Sequence, residues 1–393
     1  MKKTAKILSL GIGSTALLFF VSSFTFSSEV SYDNSLATTT PKIVEKKAVK
    51  HLKTPEPLKG IYMTQCVAGM PSFREKLVKL IEETELNAVV IDIKDYTGTV
   101  AFKTGNNEID KLGGTGCKVS DMPEFIEELH DKNIYVAGRV TVFQDPLYTK
   151  VHPELAVKKL SDKSAVWKDR KGLSFVDVGA KPFWDYIVAI ATSSYTIGFD
   201  EINLDYIRYP SDGNMKDIYF AHAGTTTKKE MLRKFFEYFD QKVKSTGVIT
   251  SADLFGMTTT NTDDLGIGQV LEYALLNFDY VMPMVYPSHY PPAFNGWPDP
   301  NKVPYEIVKF SMSSAVARDK FLYQEVATST PNAPVLKRIN PLQLRPWLQD
   351  NDYPVHYTAE MVRKQIQATY DSGLTSWMLW DPANTYTKGA LLP

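Results

Sequence analysis

From Lys59 onward, short apolar or β-branched runs alternate with stretches of helical periodicity. Eight runs have the character of strands: KGIYMT from Lys59, AVVIDIKD from Ala88, IYVAGRVTV from Ile134, FDEINLDYI from Phe199, VITSADLF from Val248, DYVMPMVYP from Asp279, INPLQLRPWLQ from Ile339 and SWMLWD from Ser376. Helical patterns lie between them, over Ser72–Glu83, Met122–Lys132, Pro182–Tyr195, Lys228–Lys244, Ile267–Leu276, Tyr305–Ala317 and Ala359–Asp371. A strand followed by a helix, repeated eight times, predicts an α/β fold of the (β/α)8 or TIM-barrel type.

Polar residues recur on one face of the strands, near the carboxyl ends. In the fourth run, Glu201, Asn203 and Asp205 share one parity, while Ile202 and Leu204 occupy the other. An open doubly wound sheet buries both faces against helices, so this alternation favours a closed barrel with a polar mouth. Long insertions follow four strands, over 96–121, 143–181, 209–227 and 288–303. We therefore expect long βα loops on the face where such barrels build their sites.

The N-terminal segment has the pattern of an export signal. Lys2, Lys3 and Lys6 precede an uncharged run over Ile7–Phe26. Because the run could also span a bilayer and no A-x-A site follows it, residues 1–28 are either a cleaved signal or a retained membrane anchor. Residues 29–57 have no sustained helical or strand periodicity and are interpreted as a disordered tether. The barrel is predicted over residues 58–393. The protein is expected to be secreted or anchored to the outer face of the cell membrane.

Composition narrows the range of partners. The 44 Lys+Arg against 45 Asp+Glu give a formal net charge of −1, so no overall field attracts nucleic acid or anionic lipid. We expect a monomer that meets a membrane only through its N-terminal segment. Two cysteines exclude a disulfide-stapled miniprotein. Cys66 and Cys117 follow the first two strands on one barrel face, and an exported chain favours a disulfide between them over two free thiols.

Carboxylates predominate at the predicted mouth. The strand ends and the loops after them supply Asp92, Lys94, Asp95, Arg139, Asp205, Arg208, Asp253, Tyr286, His289, Trp380 and Asp381. The six histidines form no H-x-H or H-E-x-x-H spacing, and neither a G-x-S-x-G motif nor a P-loop occurs outside the export signal. The sequence therefore predicts no metal and no cofactor.

Carboxylates beside aromatic rings suit the cleavage of glycosides, in which one acid protonates the leaving oxygen and a carboxylate attacks or activates water. Asp205 and Asp253 end neighbouring strands with the same parity, so we assign Asp205 as nucleophile or base and Asp253 as acid. The alternative for Asp205 is a structural salt bridge with Arg139 or Arg208. Asp92 is either structural or substrate-orienting.

The other polar and aromatic residues at the strand ends are interpreted as a binding surface for a carbohydrate polymer. Aromatic side chains can stack on the apolar faces of sugar rings. The candidates are Trp167, Tyr286, Tyr290, Trp297, Trp347 and Trp380. Trp167 and Trp297 lie in insertions, where a role in the core is least expected.

The strings NAVVIDIKDYTGTVAF, YVAGRVTVFQDP, GFDEINLDYIRYP, SADLFGM and VMPMVYPSHY resemble a bacterial family of domains of unknown function assigned to the glycoside hydrolases. Its barrel is similar to that of the α-amylase clan. The resemblance implies a nucleophile after strand four and a proton donor after strand five, which fall on Asp205 and Asp253. The clan's R-x-D reads Asn203-Leu204-Asp205 here, and its strand-five Glu is the shorter Asp253.

Together these observations favour an exported or surface-tethered glycoside hydrolase that acts on an envelope or extracellular polysaccharide. The main alternative is a barrel that binds carbohydrate at the cell surface without cleaving it. A metal-dependent esterase or deacetylase using Asp92, Asp95 and His289 is a third interpretation.

Overall fold

The computed structural model describes residues 49–393, in which eight parallel strands close into a barrel. The strands around the barrel follow the order β1-β10-β9-β8-β7-β5-β3-β2. Their bounds are Lys59–Met63 (β1), Ala88–Lys94 (β2), Tyr135–Thr141 (β3), Glu201–Asp205 (β5), Ile249–Phe255 (β7), Tyr280–Met284 (β8), Trp347–Gln349 (β9) and Trp377–Trp380 (β10), while β4 (Lys158–Lys159) and β6 (Ile218–Tyr219) form a separate antiparallel pair. The predicted TIM barrel is confirmed, and each of its strands lies within a predicted run.

Helices surround the barrel. Their bounds are Gln65–Ala68 (α1), Pro71–Glu82 (α2), Asn107–Asp110 (α3), Met122–Asp131 (α4), Pro146–Val151 (α5), Lys181–Tyr195 (α6), Lys228–Val243 (α7), Leu271–Asn277 (α8), Pro304–Ser329 (α9) and Ala359–Asp371 (α10). The predicted bounds of α10 are reproduced because Thr358 caps it, accepting a hydrogen bond from the Met361 N–H. α8 begins later than predicted, since Leu265, Gly266 and Gly268 have positive φ angles that a right-handed helix does not allow.

Alternate positions along each strand face different layers. Side chains of one parity, such as Val89 and Ile91 of β2, are fully buried beneath the helices. The other parity fills the barrel interior, where Val90 packs with Tyr62 and Tyr135. Lower in the barrel, Arg345 donates a 2.9 Å hydrogen bond to Glu201. The interior is therefore a packed core, and a cavity opens above it at the carboxyl ends of the strands.

The structure pairs the two cysteines of the predicted disulfide. Cys66 in α1 is bonded to Cys117 in the insertion after β2, with Cα atoms 5.0 Å apart. Because the two residues follow adjacent strands, the bond ties the long second loop to the first one.

The structure corrects the boundary of the predicted tether. The Leu52 N–H donates a 2.7 Å hydrogen bond to buried Asp200, and the His51 ring stacks on Tyr195 at 4.0 Å between centroids. The Thr54 hydroxyl lies 3.1 Å from that of Tyr135. Residues 49–57 are thus packed along the amino-terminal end of the barrel. The sequence did not predict this because hydrogen bonds and ring stacking hold the segment in place, and it has no regular spacing of apolar residues.

No helix within residues 49–393 is long and apolar enough to cross a bilayer. The predicted signal or anchor over residues 1–28, and the predicted tether up to residue 48, lie outside the described residues.

Candidate active site

A cavity of about 410 Å³ opens at the carboxyl ends of the strands. Its lining includes Arg139, Asp205, Tyr206, Arg208, Asp253, Phe255, Gly256, Met257, Met284, Tyr286, His289, Tyr290, Trp347, Asn351, Trp380 and Pro382. A second cavity of about 550 Å³ lies at the opposite end, beside Ile249 and Tyr280. There, Asp240 and Asp279 are both paired with Arg338. The first cavity is the candidate site because Asp205 and Asp253 lie together in it at the carboxyl ends of the strands.

One guanidinium organises the carboxylates of this cavity. Arg139, on β3, donates from Nη1 to Asp92 at 2.7 Å and from Nε and Nη2 to Asp205 Oδ2 at 3.1 and 2.5 Å. Its Nε also lies 4.0 Å from Asp253 Oδ2. The Tyr62 hydroxyl donates to the second oxygen of Asp92 at 2.5 Å. Burial alone would lower the pKa of the Arg139 guanidinium. The negative charges of Asp205 and Asp92 outweigh the effect of burial, so the pKa is raised.

Asp253, on β7, is fully enclosed. Its Oδ1 accepts hydrogen bonds from Asn203 Nδ2 at 2.9 Å and from the Trp347 indole at 2.8 Å. Burial, and after it the negative charge of Asp205, raise the pKa of Asp253 well above its usual range, while the two hydrogen bonds and Arg139 only partly oppose the rise. One guanidinium cannot balance three buried carboxylates: burial also raises the pKa of Asp92 against the opposing charge of Arg139, and Asp253, the farthest of the three from the guanidinium, has its pKa raised well above the usual range.

The separation of the two acids suits glycoside chemistry. Asp205 Oδ2 and Asp253 Oδ2 lie 3.1 and 4.0 Å from the same Arg139 Nε. The two oxygens are thus at most about 7 Å apart, which is compatible with the separations of retaining enzymes and with the lower part of the inverting range.

The backbone is strained directly after Asp205. Tyr206 has φ 52°, a left-handed conformation that is rare for a bulky side chain, and its N–H donates to Asp205 Oδ1 at 2.5 Å. Such outliers concentrate at functional sites. The turn also places Arg208 at the cavity, with its guanidinium 4.9 Å from the ring centroids of both Tyr206 and Phe255.

Aromatic rings form one wall of the cavity. Trp380 stacks on Tyr62 with centroids 4.2 Å apart, and Tyr286 lies 6.4 Å from the Trp380 ring. His289 contacts Tyr286 edge-on, and burial lowers the pKa of its imidazole. This wall faces the carboxylates and offers a stacking surface to a sugar ring.

The structure therefore brings Arg139, Asp205, Arg208, Asp253, Tyr286, His289 and Trp380 together, as the strand pattern predicted. Asp92 lies behind Arg139, where it orients the guanidinium. Tyr290 and Trp347 also line the cavity, but Tyr290 is hydrogen-bonded to Ser311 and Trp347 is almost fully buried, so neither offers an open ring face.

Three polar residues predicted to bind substrate do not reach the cavity. Lys94 is fully buried and pairs with Asp145 at 2.8 Å, because a register shift between β2 and β3 interrupts the strand alternation after Asp92. Asp95 accepts hydrogen bonds from the Thr97 N–H and hydroxyl in its own turn. Asp381 accepts from the backbone of the turn that follows it. All three stabilise loops.

Two predicted tryptophan platforms are also corrected. Trp167 is 1% exposed, packs on Phe175, and donates to the Asn214 carbonyl. It is buried in the main hydrophobic core between the insertions after β3 and β5, at a position that no hydrophobic periodicity along the chain indicates. Trp297 packs edge-on against Phe310 of α9 and is not part of the cavity lining.

Two residues without a predicted role, and one with a different role from the predicted one, complete the site. Tyr62 and Asn203 act through hydrogen bonds to Asp92 and Asp253, and Trp347 serves as a donor rather than as a platform. Tyr62 lies near the end of β1 at one of the alternate positions that point into the barrel, and this position could have identified it as a site residue. Within residues 49–393, no three His, Cys, Asp or Glu side chains converge in a way that could hold a metal ion, so the described residues offer no support for the metal-dependent interpretation.

Comparison with known proteins identifies the family. The family model described as "Putative glycosyl hydrolase domain" matches residues 60–386. A hypothetical protein from Ruminiclostridium thermocellum ATCC 27405 is 32% identical, over 53% of this chain and 98% of its own, with a TM-score of 0.45. The PgaB (BpsB) glycoside hydrolase domain from Bordetella bronchiseptica is 13% identical, over 83% of this chain and 94% of its own, with a TM-score of 0.56, and so shares the fold. No curated protein matches the sequence. The chain therefore belongs to this glycosyl hydrolase family, and it is a glycosidase built on a TIM barrel.

Proposed function

We propose that the enzyme cleaves a glycosidic bond of an extracellular or cell-envelope polysaccharide by a two-carboxylate mechanism. One observation carries the proposal: Asp253, with a raised pKa, lies in the same cavity as Asp205, whose charge is balanced by Arg139. Glycoside hydrolysis needs one protonated acid and one ionised carboxylate; the raised pKa of Asp253 suits the first role, and the ion pair of Asp205 with Arg139 suits the second.

The hydrogen bonds of Asp253 indicate where its proton lies. Oδ1 already accepts from Asn203 and Trp347, so the proton belongs on Oδ2. From there it passes to the glycosidic oxygen as the bond to the anomeric carbon breaks. Burial makes the ionised product of this transfer costly, and the two donors to Oδ1 then stabilise the new carboxylate.

Asp205 supplies the negative charge on the reacting side. As a nucleophile it would form a covalent glycosyl-enzyme, and as a base it would take a proton from the attacking water. In either role, Arg139 and the Tyr206 N–H hold both carboxylate oxygens in place. The guanidinium that the α-amylase clan provides two residues before its nucleophile is here supplied by Arg139 on the neighbouring strand β3.

The wall formed by Tyr286 and Trp380 would hold the sugar ring over these acids. A polysaccharide substrate and an extracellular location are supported by the export pattern over residues 1–28. The membrane plays no part in the proposed reaction, and none of the proposed steps uses a cofactor.

Paired substitutions test the proposal. Asp205→Asn should abolish turnover while preserving glycan binding, because the amide is isosteric but a poor nucleophile and a poor base. Asp253→Asn should lose activity on the polymer yet keep much of it on an aryl glycoside with a good leaving group, which needs little protonation. Asp381→Asn is the matched control, since this carboxylate is buried nearby but bonded only to its own turn.

Melting curves must accompany the kinetics because Asp205 is also an ion-pair partner. If Asp205→Asn retains wild-type turnover, the assignment is wrong. If the wild-type enzyme binds glycans but no substrate is cleaved, the carbohydrate-binding barrel becomes the better description.

A further inference from the structure

Arg208 differs from the other shielded arginines of the described chain. Within residues 49–393, every other arginine that is not fully exposed lies within 4.0 Å of a carboxylate oxygen: Arg74, Arg139, Arg233, Arg318, Arg338, Arg345 and Arg363. Arg208 is half-buried and has no such partner among the described residues. Within this part of the chain, its positive charge is therefore not balanced by a carboxylate at ion-pair distance.

The guanidinium is held rigidly. It lies between the rings of Tyr206 and Phe255, each 4.9 Å away. Nη1 donates to the Tyr209 carbonyl and to the Ser211 hydroxyl, both at 3.1 Å. Among residues 49–393, no acceptor is hydrogen-bonded to the edge formed by Nε and Nη2. Two parallel N–H groups on a fixed guanidinium match the two oxygens of a carboxylate, sulfate or phosphate.

The environment disfavours leaving this charge alone. Burial lowers the pKa of Arg208, and the surrounding phenol and carboxyl groups only partly oppose that effect. Arg208 and Asp205 line the same cavity, three residues apart on the strained turn after β5. A ligand bound at Asp205 therefore lies in the same cavity as Arg208.

We propose that the substrate is an acidic glycan and that Arg208 binds an oxyanion group on the sugar unit beside the scissile bond. This inference rests on the proposed function for the location of the scissile bond, but it concerns recognition rather than cleavage. It names the substrate class of the site: a polymer whose sugars carry carboxylate, sulfate or phosphate groups. Neutral polysaccharides would leave the desolvated guanidinium unpaired, so they should bind more weakly.

Binding of single sugars provides a test that does not depend on linkage or turnover. The full chain would be titrated with glucuronate, glucose 6-sulfate, glucose 6-phosphate and glucose, with the dissociation constant of each measured by NMR. At least one anionic sugar should bind about tenfold or more tightly than glucose, as expected for charge-assisted hydrogen bonds. The preferred anion then distinguishes a uronate polymer from a sulfated or phosphorylated one.

Variants assign the preference to this residue. Arg208→Gln should reduce the affinity for the preferred anionic sugar to that for glucose. Arg208→Lys keeps the positive charge but loses the planar guanidinium with its two parallel N–H groups, so it should keep part of the preference. Arg233→Gln on α7 removes the same charge far from the cavity and should change nothing. A melting curve for each variant checks that it folds.

Equal affinity of the wild-type protein for anionic sugars and glucose would overturn the inference. So would a preference that survives Arg208→Gln. Neither result bears on the proposed hydrolysis, which depends on Asp205 and Asp253. Conversely, an Arg208-dependent preference in a protein that cleaves nothing would support the acidic ligand and contradict only the proposed reaction.

Discussion

The indole N–H of Trp347 donates a 2.8 Å hydrogen bond to Oδ1 of Asp253. This contact stabilises the ionised carboxylate and so limits how far burial raises the pKa of that group. The residue that sequence inspection assigned to sugar stacking thus tunes the acid instead. Its position on the short strand β9, next to β8 in the barrel, makes the contact possible.

Replacing this donor should move the pH profile. Trp347→Phe keeps a large ring but removes the hydrogen bond, so the pKa of Asp253 should rise further. The acid would stay protonated to higher pH, and the alkaline limb of kcat/KM would shift upward. Trp297→Phe, outside the cavity, is the matched control and should leave the profile unchanged. An unchanged alkaline limb in Trp347→Phe would mean that another group sets it.

Asp253 should also make folding stability depend on pH. Because its pKa in the folded protein is raised, its neutral form is favoured, and its stabilising contribution is fully present below the unfolded pKa of about 3.9. That contribution is lost as the pH rises through the folded pKa. Asp253→Asn cannot ionise, so the difference in unfolding free energy between variant and wild type should shift in favour of the variant across this interval. Urea titrations at several pH values measure it. A constant difference would contradict the raised pKa.

Arg139 should be indispensable for stability at neutral pH. Arg139→Met leaves Asp92 and Asp205 buried without their cation, which should cost about 3 to 5 kcal/mol in unfolding free energy. The deficit should shrink in acid, where the carboxylates become protonated. Adding Asp92→Asn and Asp205→Asn to the same chain should recover part of the loss. A variant that unfolds like the wild type at pH 7 would show that the carboxylates find other partners.

Residues 49–58 should contribute to folding. A chain that begins at Lys59 lacks the Leu52 hydrogen bond to Asp200 and the buried side chain of Leu58. The expected cost is about 3 to 5 kcal/mol relative to a chain that begins at Val49, from one charge-assisted hydrogen bond and one buried leucine. Thermal melts of the two chains provide the comparison, and equal midpoints would show that the segment is dispensable.

The disulfide should stabilise the fold without affecting the chemistry. Cys66 and Cys117 are separated by 51 positions, for which loop-closure entropy corresponds to about 4 kcal/mol. Replacing both cysteines by alanine should lower the unfolding free energy by an amount of this order, while kcat/KM below the melting temperature stays near the wild-type value. Intact mass with and without reductant verifies the bond. Two alkylatable thiols in the unreduced protein would contradict it.

The barrel could be predicted because strand and helix periods are local properties of the sequence. The alternation of side chains along β5 and β7 was sufficient to predict that Asp205 and Asp253 line one cavity. The contacts between strands were not predictable in the same way. Arg139 reaches Asp92 and Asp205 because the barrel register places Arg139 beside Asp92 on β2 and Thr141 beside Asp205 on β5. Register depends on the whole closed sheet.

The incorrect assignments have related causes. Lys94 was predicted to point into the cavity on the assumption of strict side-chain alternation along β2, but the register shift between β2 and β3 after Asp92 interrupts this alternation. Trp167 was assigned to the surface because its insertion is polar, yet its ring is buried in the main hydrophobic core. Each error arose where contacts between distant parts of the chain determine the position of a side chain, so that the local sequence pattern does not.

The segment 49–57 runs along the end of the barrel opposite the cavity, so the polypeptide enters the enzyme from behind its working face. A partner protein fused directly to Val49 would therefore be added on the side of the barrel away from the cavity, and access to the candidate site should be unchanged.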